Sequence, residues 1–244
     1  MHILKNKLKF CLLTLFLLIT FAGATTAHAQ KDQIRKRFDE HVAPAETIKS
    51  IQKTRFADLY EVQIENRIVY TDSKARYLFL CRIFDIESKQ DFTGERLEEV
   101  NRVPFSDLPL DQAIKIVNGE GQRAIAVFSD PNCIYCKQLD KMLKDIDNLT
   151  IYVFPLNILG EKSHTVSRNI WCSPNQGEAW MAWMTRDRQP AQARSDCVYS
   201  DKDISELATR YGITGTPVIL FQDGSRISGL PPAERFNQVL SGEN

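Results

Sequence analysis

The second half of the chain alternates between apolar runs typical of strands and the spacing of three and four residues typical of helices. The run from Ala124 to Phe128 is short and rich in β-prone residues, which predicts a buried strand. A turn rich in capping residues, Ser-Asp-Pro-Asn, follows at 129–132. Apolar residues then recur at helical spacing: Leu139, Met142, Leu143 and Ile146. The pattern predicts a strand, a turn and a helix in succession.

The remainder of residues 121–244 continues this alternation, which predicts an α/β domain. Strands are predicted at Thr150 to Phe154, Val218 to Phe221 and Arg226 to Ser228. Helices are predicted over 161–185, from an N-cap at Asp201 to Gly212, and from Pro232 to Leu240. Three tryptophans in the first of these helical regions are expected to pack in the core: Trp171, Trp180 and Trp183.

Residues 30–92 have the pattern of a small α+β unit. A helix is predicted from Lys31 to Phe38, with Ile34 and Phe38 on one side. Four strand-like runs follow, separated by turn residues: Thr47 to Thr54, Leu59 to Ile64, Arg67 to Thr71 and Tyr77 to Ile86. The apolar last strand leaves a sheet edge that something must cover, and pairing with a second copy in a two-fold dimer is the economical solution.

Residues 93–120 are predicted to be a helical linker. Thr93 to Val100 is a charged helical segment, and Asp111 to Val117 is predicted to be a second short helix. The charge density suggests a solvated spacer between domains. The alternative is that this segment is the first helix of the second domain.

Residues 1–29 are predicted to be a cleaved signal peptide. Three lysines precede an apolar run from Phe10 to Phe21, and Ala27-His28-Ala29 fits a cleavage site that leaves a mature start near Gln30. The apolar run is short for a membrane span, although an uncleaved anchor is the alternative. The formal net charge of the whole chain is zero, and removal of the leader makes it slightly negative, so nothing suggests a nucleic-acid partner.

The two cysteines with the clearest chemistry, Cys133 and Cys136, stand where the strand hands over to the helix. The free N–H groups and the dipole of a helix start stabilise an anion, here the Cys133 thiolate. Cys136, one turn further, is placed to attack a mixed disulfide at Cys133. The alternative is a zinc site, which needs two more ligands. Cys172 and Cys197 are far apart in sequence, and His164 stands alone.

These motifs resemble the DsbC/DsbG disulfide isomerases of the bacterial periplasm. The resemblance rests on Phe128 to Cys133, on Ile170-Trp171-Cys172 with a later Cys197, and on Gly215-Thr216-Pro217. It implies a thioredoxin-like catalytic domain with a helical insertion, and a small cystatin-like N-terminal domain that pairs two copies into a V-shaped homodimer. The expected boundaries are 30–92, 93–120 and 121–244.

The resemblance also implies roles for single residues. Cys133 would attack, Cys136 would resolve, and Cys172 would form a structural disulfide with Cys197, stabilising the domain by roughly 3 kcal/mol. Pro217 matches the family's cis-proline. Substrate contacts are expected from Thr216, Pro217, Ile134 and Tyr135. Asp130 is expected to cap the turn or the helix, and no carboxylate in 124–128 could accept the proton of Cys136.

Two positions depart from the family pattern. Cys81 lies in the strand that the family uses for dimer contact, and it is expected to be a buried free thiol, with a disulfide to its two-fold mate as the alternative. Ile134, between the active cysteines, is bulkier than the glycine of some relatives.

The function implied is reduction and reshuffling of incorrect disulfides in exported proteins, with no metal or organic cofactor. The expected partners are mis-bridged exported proteins, a second copy of the chain and a membrane reductant of the DsbD type, in the periplasm. The alternatives are a holdase chaperone, a dithiol oxidase that donates disulfides, and a redox partner dedicated to one secretion or conjugation apparatus.

Overall fold

The structure, a computed structural model, describes residues 28–42, 44 and 46–242. The predicted signal sequence, apart from its last two residues, lies outside this part of the chain. Contacts divide the chain into two compact units after Leu97; the predicted boundaries at 92 and 120 stay predictions. Within the described residues, no helix combines the length and the apolar composition that crossing a membrane requires.

The N-terminal unit packs one helix on an antiparallel sheet of four strands in the order β1-β2-β3-β4. Helix α1 covers residues 28–41. The strands are β1 (Ile48–Lys53), β2 (Tyr60–Ile64), β3 (Arg67–Thr71) and β4 (Leu78–Phe79). Ile34 and Phe38 of α1 pack against alternate residues of β2. The predicted helix and the first three predicted strands are therefore confirmed.

The fourth strand is much shorter than the predicted run from Tyr77 to Ile86. Only Leu78 and Phe79 pair with β3. The chain then turns on itself, because the Asp85 carboxylate accepts hydrogen bonds from the backbone N–H groups of Glu87 and Ser88. Cys81 follows β4 and is free and exposed in the single chain, contrary to the expectation of a buried thiol. A disulfide to a two-fold mate stays a prediction.

The segment between 93 and 120 is only partly helical. Helix α2 (Phe92–Val100) confirms the first predicted helix. The second prediction, a helix from Asp111 to Val117, is wrong: two short 3-10 turns lead into strand β5 (Ile114–Asn118). Ile114 and Ile116 are buried while Lys115 and Val117 are exposed, and this period of two is that of a strand with one covered face.

The C-terminal unit is built on a five-stranded mixed sheet in the order β5-β7-β6-β8-β9. Strands β6 (Arg123–Ser129) and β7 (Leu149–Pro155) are parallel, so the chain crosses over between them through helix α3 (Ile134–Leu143). Strands β8 (Val218–Phe221) and β9 (Arg226–Ser228) complete the sheet as an antiparallel hairpin. The predicted β6, α3, β7, β8 and β9 are confirmed.

Helices cover both faces of this sheet, and each face has its own apolar core. The helices after α3 are α4 (Glu161–Trp171), α5 (Gln176–Arg186), α6 (Lys202–Arg210) and α7 (Ala233–Ser241). The predicted helical region 161–185 is thus two helices. The break contains Pro174, and Asn175 starts α5 by accepting a hydrogen bond from the Glu178 N–H. Trp180 and Trp183 lie in the core, as predicted.

Candidate active site

The paired cysteines lie at the start of α3. Cys133 occupies the N-cap position, and Cys136 lies in the first turn of the helix. Both thiols are free and buried, Cys136 completely. The Cys133 thiol donates a hydrogen bond to the Thr216 carbonyl over a distance of 3.7 Å between sulfur and oxygen. The structure therefore shows the reduced dithiol, with Cys133 nearer the surface than Cys136.

The environment of Cys136 combines burial with two nearby hydroxyl groups. Burial raises the pKa of the Cys136 thiol to about 12, while hydrogen bonds from the Ser129 and Thr216 side chains act in the opposite direction. Among the described residues, Ser129 Oγ and Thr216 Oγ1 are buried and have no other hydrogen-bond partner. These hydroxyls are therefore available to an anion that forms on Cys136.

The peptide bond between Thr216 and Pro217 is cis. Strand β8 begins directly after it and pairs with β6, the strand that leads to Cys133. The Pro217 carbonyl accepts a hydrogen bond from the Gly229 N–H at 2.8 Å, and this bond holds Pro217 in place. The sheet thus brings Thr216 and Pro217 to the cysteines. Ile134 and Tyr135, between the cysteines, are exposed.

The turn before Cys133 is held by the completely buried carboxylate of Asp130. Its Oδ1 accepts hydrogen bonds from the Asn132 N–H at 2.8 Å and from the Ser163 hydroxyl at 2.7 Å. Its Oδ2 accepts a hydrogen bond from the Leu159 N–H at 2.9 Å. The bond to Asn132 confirms that Asp130 caps the turn. The bonds to Ser163 and Leu159, which attach the turn to the start of α4, were not predicted.

A second attachment comes from α5. The Trp183 indole N–H donates a hydrogen bond to the Pro131 carbonyl at 2.7 Å. The Lys137 ammonium lies 4.3 Å from the centre of the Trp183 ring and pairs with Asp187. Helices α4 and α5 therefore both support the turn that presents Cys133.

Asp140 is a second buried carboxylate that the sequence analysis missed. It lies one turn after Cys136 on α3, and its Oδ2 accepts a hydrogen bond from the Trp180 indole N–H at 3.1 Å. Burial raises its pKa to about 7. The available signal was its position, since Asp140 lies on the same helix face as Cys136, Leu139 and Leu143, which are all buried.

The other two cysteines of the unit are not part of this dithiol. Cys172 at the end of α4 forms a disulfide with Cys197, with 6.1 Å between the Cα atoms.

Asp201 stands at the predicted N-cap of α6, but its side chain does not cap the helix. Its carboxylate instead accepts a hydrogen bond from the side-chain amide of Asn157, which lies in the loop between β7 and α4.

Two family models match the chain. A model of the disulfide bond isomerase N-terminal domain matches residues 25–94, and a model of the thioredoxin-like domain matches residues 110–242. The matches cover both structural units, and the second alone covers more than half of the chain.

Relatives with curated names match over most of their length. A protein of Bordetella pertussis named probable thiol:disulfide interchange protein DsbC is 38% identical over 218 residues, which are 89% of this chain and 77% of the relative. The thiol:disulfide interchange protein DsbC of Escherichia coli K12 is 23% identical over 92% of this chain and 94% of its own. A crystal structure of a disulfide interchange protein from Neisseria gonorrhoeae is 31% identical, with a TM-score of 0.52, over 55% of this chain and 97% of its own.

Proposed function

Because the chain belongs to the DsbC family of thiol:disulfide interchange proteins, we propose that its dithiol reduces and reshuffles incorrect disulfides in exported proteins. The observation that carries this proposal is the pair of free thiols at the start of α3, with Cys133 at the N-cap and Cys136 buried beneath it. Such a pair supports two chemically different steps, attack by the outer sulfur and release by the inner one.

In the first step the Cys133 thiolate attacks one sulfur of a client disulfide. A new bond forms between Cys133 Sγ and that sulfur, the client's own bond breaks, and its second sulfur leaves as a thiolate. The helix dipole and the free N–H groups at the start of α3 stabilise negative charge at the N-cap, where Cys133 lies. One disulfide replaces another, so this step requires no oxidant or reductant.

Two exits from the mixed disulfide follow. If the freed client thiolate attacks another client disulfide, that bond breaks and a different client thiolate is released. When this thiolate attacks the client sulfur bonded to Cys133, a new client disulfide forms, the bond to Cys133 breaks and the Cys133 thiolate is regenerated, which is isomerisation. If the client stalls, Cys136 loses its proton and attacks Cys133 Sγ, so that the client leaves reduced and the protein becomes oxidised. The hydroxyls of Ser129 and Thr216 support this second exit by donating hydrogen bonds to the Cys136 thiolate.

The client would be held by the residues around Cys133. The backbone of Thr216, next to the cis peptide bond of Pro217, would offer hydrogen bonds to an extended client segment. The exposed side chains of Ile134 and Tyr135 would contact the client between the two cysteines. These assignments give each residue a contact with the client, in addition to the hydrogen bond that the Thr216 hydroxyl donates to Cys136.

The proposal includes a dimer, a compartment and a reductant. The match of residues 25–94 to the isomerase N-terminal domain supports a homodimer formed through that unit. The chemistry requires a place where disulfides form, which for an exported bacterial chain is the periplasm. After Cys136 has acted, two electrons must come from outside, and a membrane reductant of the DsbD type would supply them.

The proposal is tested by incubating the reduced mature protein with a scrambled client that contains several disulfides. We expect recovery of client activity above that given by a simple dithiol, and we expect Cys133→Ser to abolish the gain. Cys81→Ser is the matched control, because Cys81 is the free cysteine that lies outside the Cys133–Cys136 pair in the part of the chain that the structure describes. Absence of recovery, together with rapid oxidation of a reduced client by the oxidised protein, would contradict the proposal and indicate a dithiol oxidase.

A further inference from the structure

Two adjacent aliphatic side chains are exposed beside the active-site turn, and the exchange chemistry uses neither. Ile158 and Leu159 lie in the loop between β7 and α4, with 47% and 56% of their surface exposed. Large apolar side chains that are exposed together commonly mark a contact site. Their position therefore points to a partner that approaches the redox centre.

Hydrogen bonds to the rest of the unit hold this loop in place, so the fold itself keeps the two side chains exposed. The Leu159 N–H donates to the buried Asp130 carboxylate at 2.9 Å. The amide of Asn157, two residues earlier, donates to the Tyr199 hydroxyl and to the Asp201 carboxylate, each at 3.0 Å. The Asn157 amide and the Leu159 N–H are therefore bonded to groups of the protein. The side chains of Ile158 and Leu159 are left facing solvent.

A single residue connects this loop to the nucleophile. The carboxylate of Asp130 binds the Leu159 N–H, and the carbonyl of Asp130 accepts a hydrogen bond from the Cys133 N–H at 3.1 Å. Because one residue holds both backbones, the Leu159 N–H and the Cys133 N–H lie within about 10 Å of each other. An extended polypeptide spans about 3.3 Å per residue, so a residue two or three positions from a client cysteine bonded to Cys133 can reach this loop.

We propose that Ile158 and Leu159 form a subsite for an apolar side chain two or three residues from the client cysteine. The inference rests on the proposed function, because it requires a mixed disulfide at Cys133. The occupant is a misfolded polypeptide whose aliphatic or aromatic core residues are exposed next to a cysteine. A correctly folded client buries those side chains, and a small disulfide such as oxidised glutathione lacks them. The subsite thus favours misfolded chains over both.

The test compares two short peptide disulfides that differ only in carrying leucine or serine two residues from the cysteine. For the wild-type protein we expect reaction with the leucine peptide to be about tenfold faster, since partial burial of one aliphatic side chain is worth about 1.4 kcal/mol. Ile158→Ser combined with Leu159→Ser should remove this preference. Ile158→Val combined with Leu159→Met should keep it. All variants should react with oxidised glutathione at the wild-type rate.

Val198→Ser is the matched control, because Val198 is an aliphatic residue of the same unit with 85% of its surface exposed. It should leave the leucine preference unchanged. A wild-type protein that reacts with oxidised glutathione but treats both peptides alike would overturn the subsite and leave the proposed function standing. A wild-type protein that reacts with none of the three would overturn both. If the double serine variant changes the molecular mass in sedimentation, the two residues hold a second copy of the chain, and the inference fails.

Discussion

At the scale of single residues, the properties of the site follow from which polar groups are buried and what they face. The burial of Cys136 disfavours its thiolate, so the resolving step depends on groups that compensate for lost water. Ser129 and Thr216 are suited to this role, because their buried hydroxyls have no other partner among the described residues. The rate at which stalled clients leave should therefore be set by these two hydroxyls.

Ser129→Ala and Thr216→Val should each slow the attack of Cys136 on a preformed mixed disulfide. A hydrogen bond to a charged group contributes about 1.5–3 kcal/mol, so a slowing of about tenfold or more is expected. The effect should be uniform at every pH below the pKa of Cys136, which quenched-flow measurement of client release would show. Thr216→Ser keeps the hydroxyl and should release the client at close to the wild-type rate. Equal rates for Thr216→Val and Thr216→Ser would contradict this role.

Asp140 makes stability depend on pH. Its pKa in the folded protein, raised by burial to about 7, lies above the unfolded value near 3.8. Its contribution to the free energy of unfolding is therefore fully present below about pH 4 and is lost as the pH rises through 7. A shift of this size corresponds to about 4 kcal/mol at most.

Asp140→Asn should consequently stabilise the protein at pH 8 and leave it nearly unchanged at pH 4. Asparagine keeps an oxygen that accepts the hydrogen bond from Trp180, while the buried charge is removed. Urea unfolding of both proteins at the two pH values measures the difference, and all other titrating groups cancel in the comparison. A stabilisation that is the same at pH 4 and pH 8 would contradict the account.

The residue scale also shows the limit of prediction from sequence. Cys133, Cys136, Thr216 and Pro217 stand in motifs with fixed spacing, so they were predicted by residue number. The contacts of Asp130 with Ser163 and Leu159 join residues about 30 positions apart, and nothing in a local pattern specifies them. Asp140 was missed because a carboxylate is usually exposed, even on an apolar helix face. Its burial follows from its contact with Trp180 of α5, which the sequence of α3 does not show.

At the scale of elements, the prediction succeeded where the period of apolar residues was uninterrupted and failed where other hydrogen bonds decided the structure. Strand β5 contains only five residues, and its period of two becomes visible once β7 lies beside it. The run after β4 is as apolar as a strand, but hydrogen bonds from the Glu87 and Ser88 N–H groups to the Asp85 carboxylate form a local turn instead. In the first case pairing with a distant strand decided the structure, and in the second case a local turn did.

The disulfide between Cys172 and Cys197 ties the end of α4 to the segment before α6, and it is separate from the dithiol chemistry. Replacing both cysteines with serine should lower the free energy of unfolding by about 3 kcal/mol, because the loop of the unfolded chain is no longer closed. The midpoint of urea unfolding measures this loss. The rate of exchange between Cys133 and a small disulfide should stay at the wild-type value, and a large loss of that rate would mean that the disulfide supports the site directly.

At the scale of the whole molecule, the chain combines a unit with redox chemistry and a unit without it. The N-terminal unit ends its sheet at the two-residue strand β4, and Leu78 within this strand and Leu80 just after it are exposed. An open edge flanked by apolar side chains is a surface on which a second chain can pair. This arrangement supports the proposed homodimer, which would bring two Cys133 thiols to one client.

Leu80→Glu should therefore weaken the dimer, because 77% of the surface of Leu80 is exposed in the single chain and a charge would be desolvated on pairing. Sedimentation equilibrium should show a dimer for the wild-type protein and a dissociation constant raised by at least about tenfold for the variant. Leu230→Glu, which changes an exposed leucine of the C-terminal unit, is the matched control and should remain dimeric. A monomeric wild-type protein would contradict the proposed assembly.

In the proposed reaction Cys133 forms the covalent bond to the client and Cys136 breaks it. The most direct measurement uses Cys136→Ser, which should trap the client as a stable mixed disulfide that mass spectrometry of proteolytic fragments can locate. We expect the bond to join the client to Cys133, and we expect Cys133→Ser combined with Cys136→Ser to trap nothing. A bond mapped to Cys81, or the same amount of trapped client without Cys133, would contradict it.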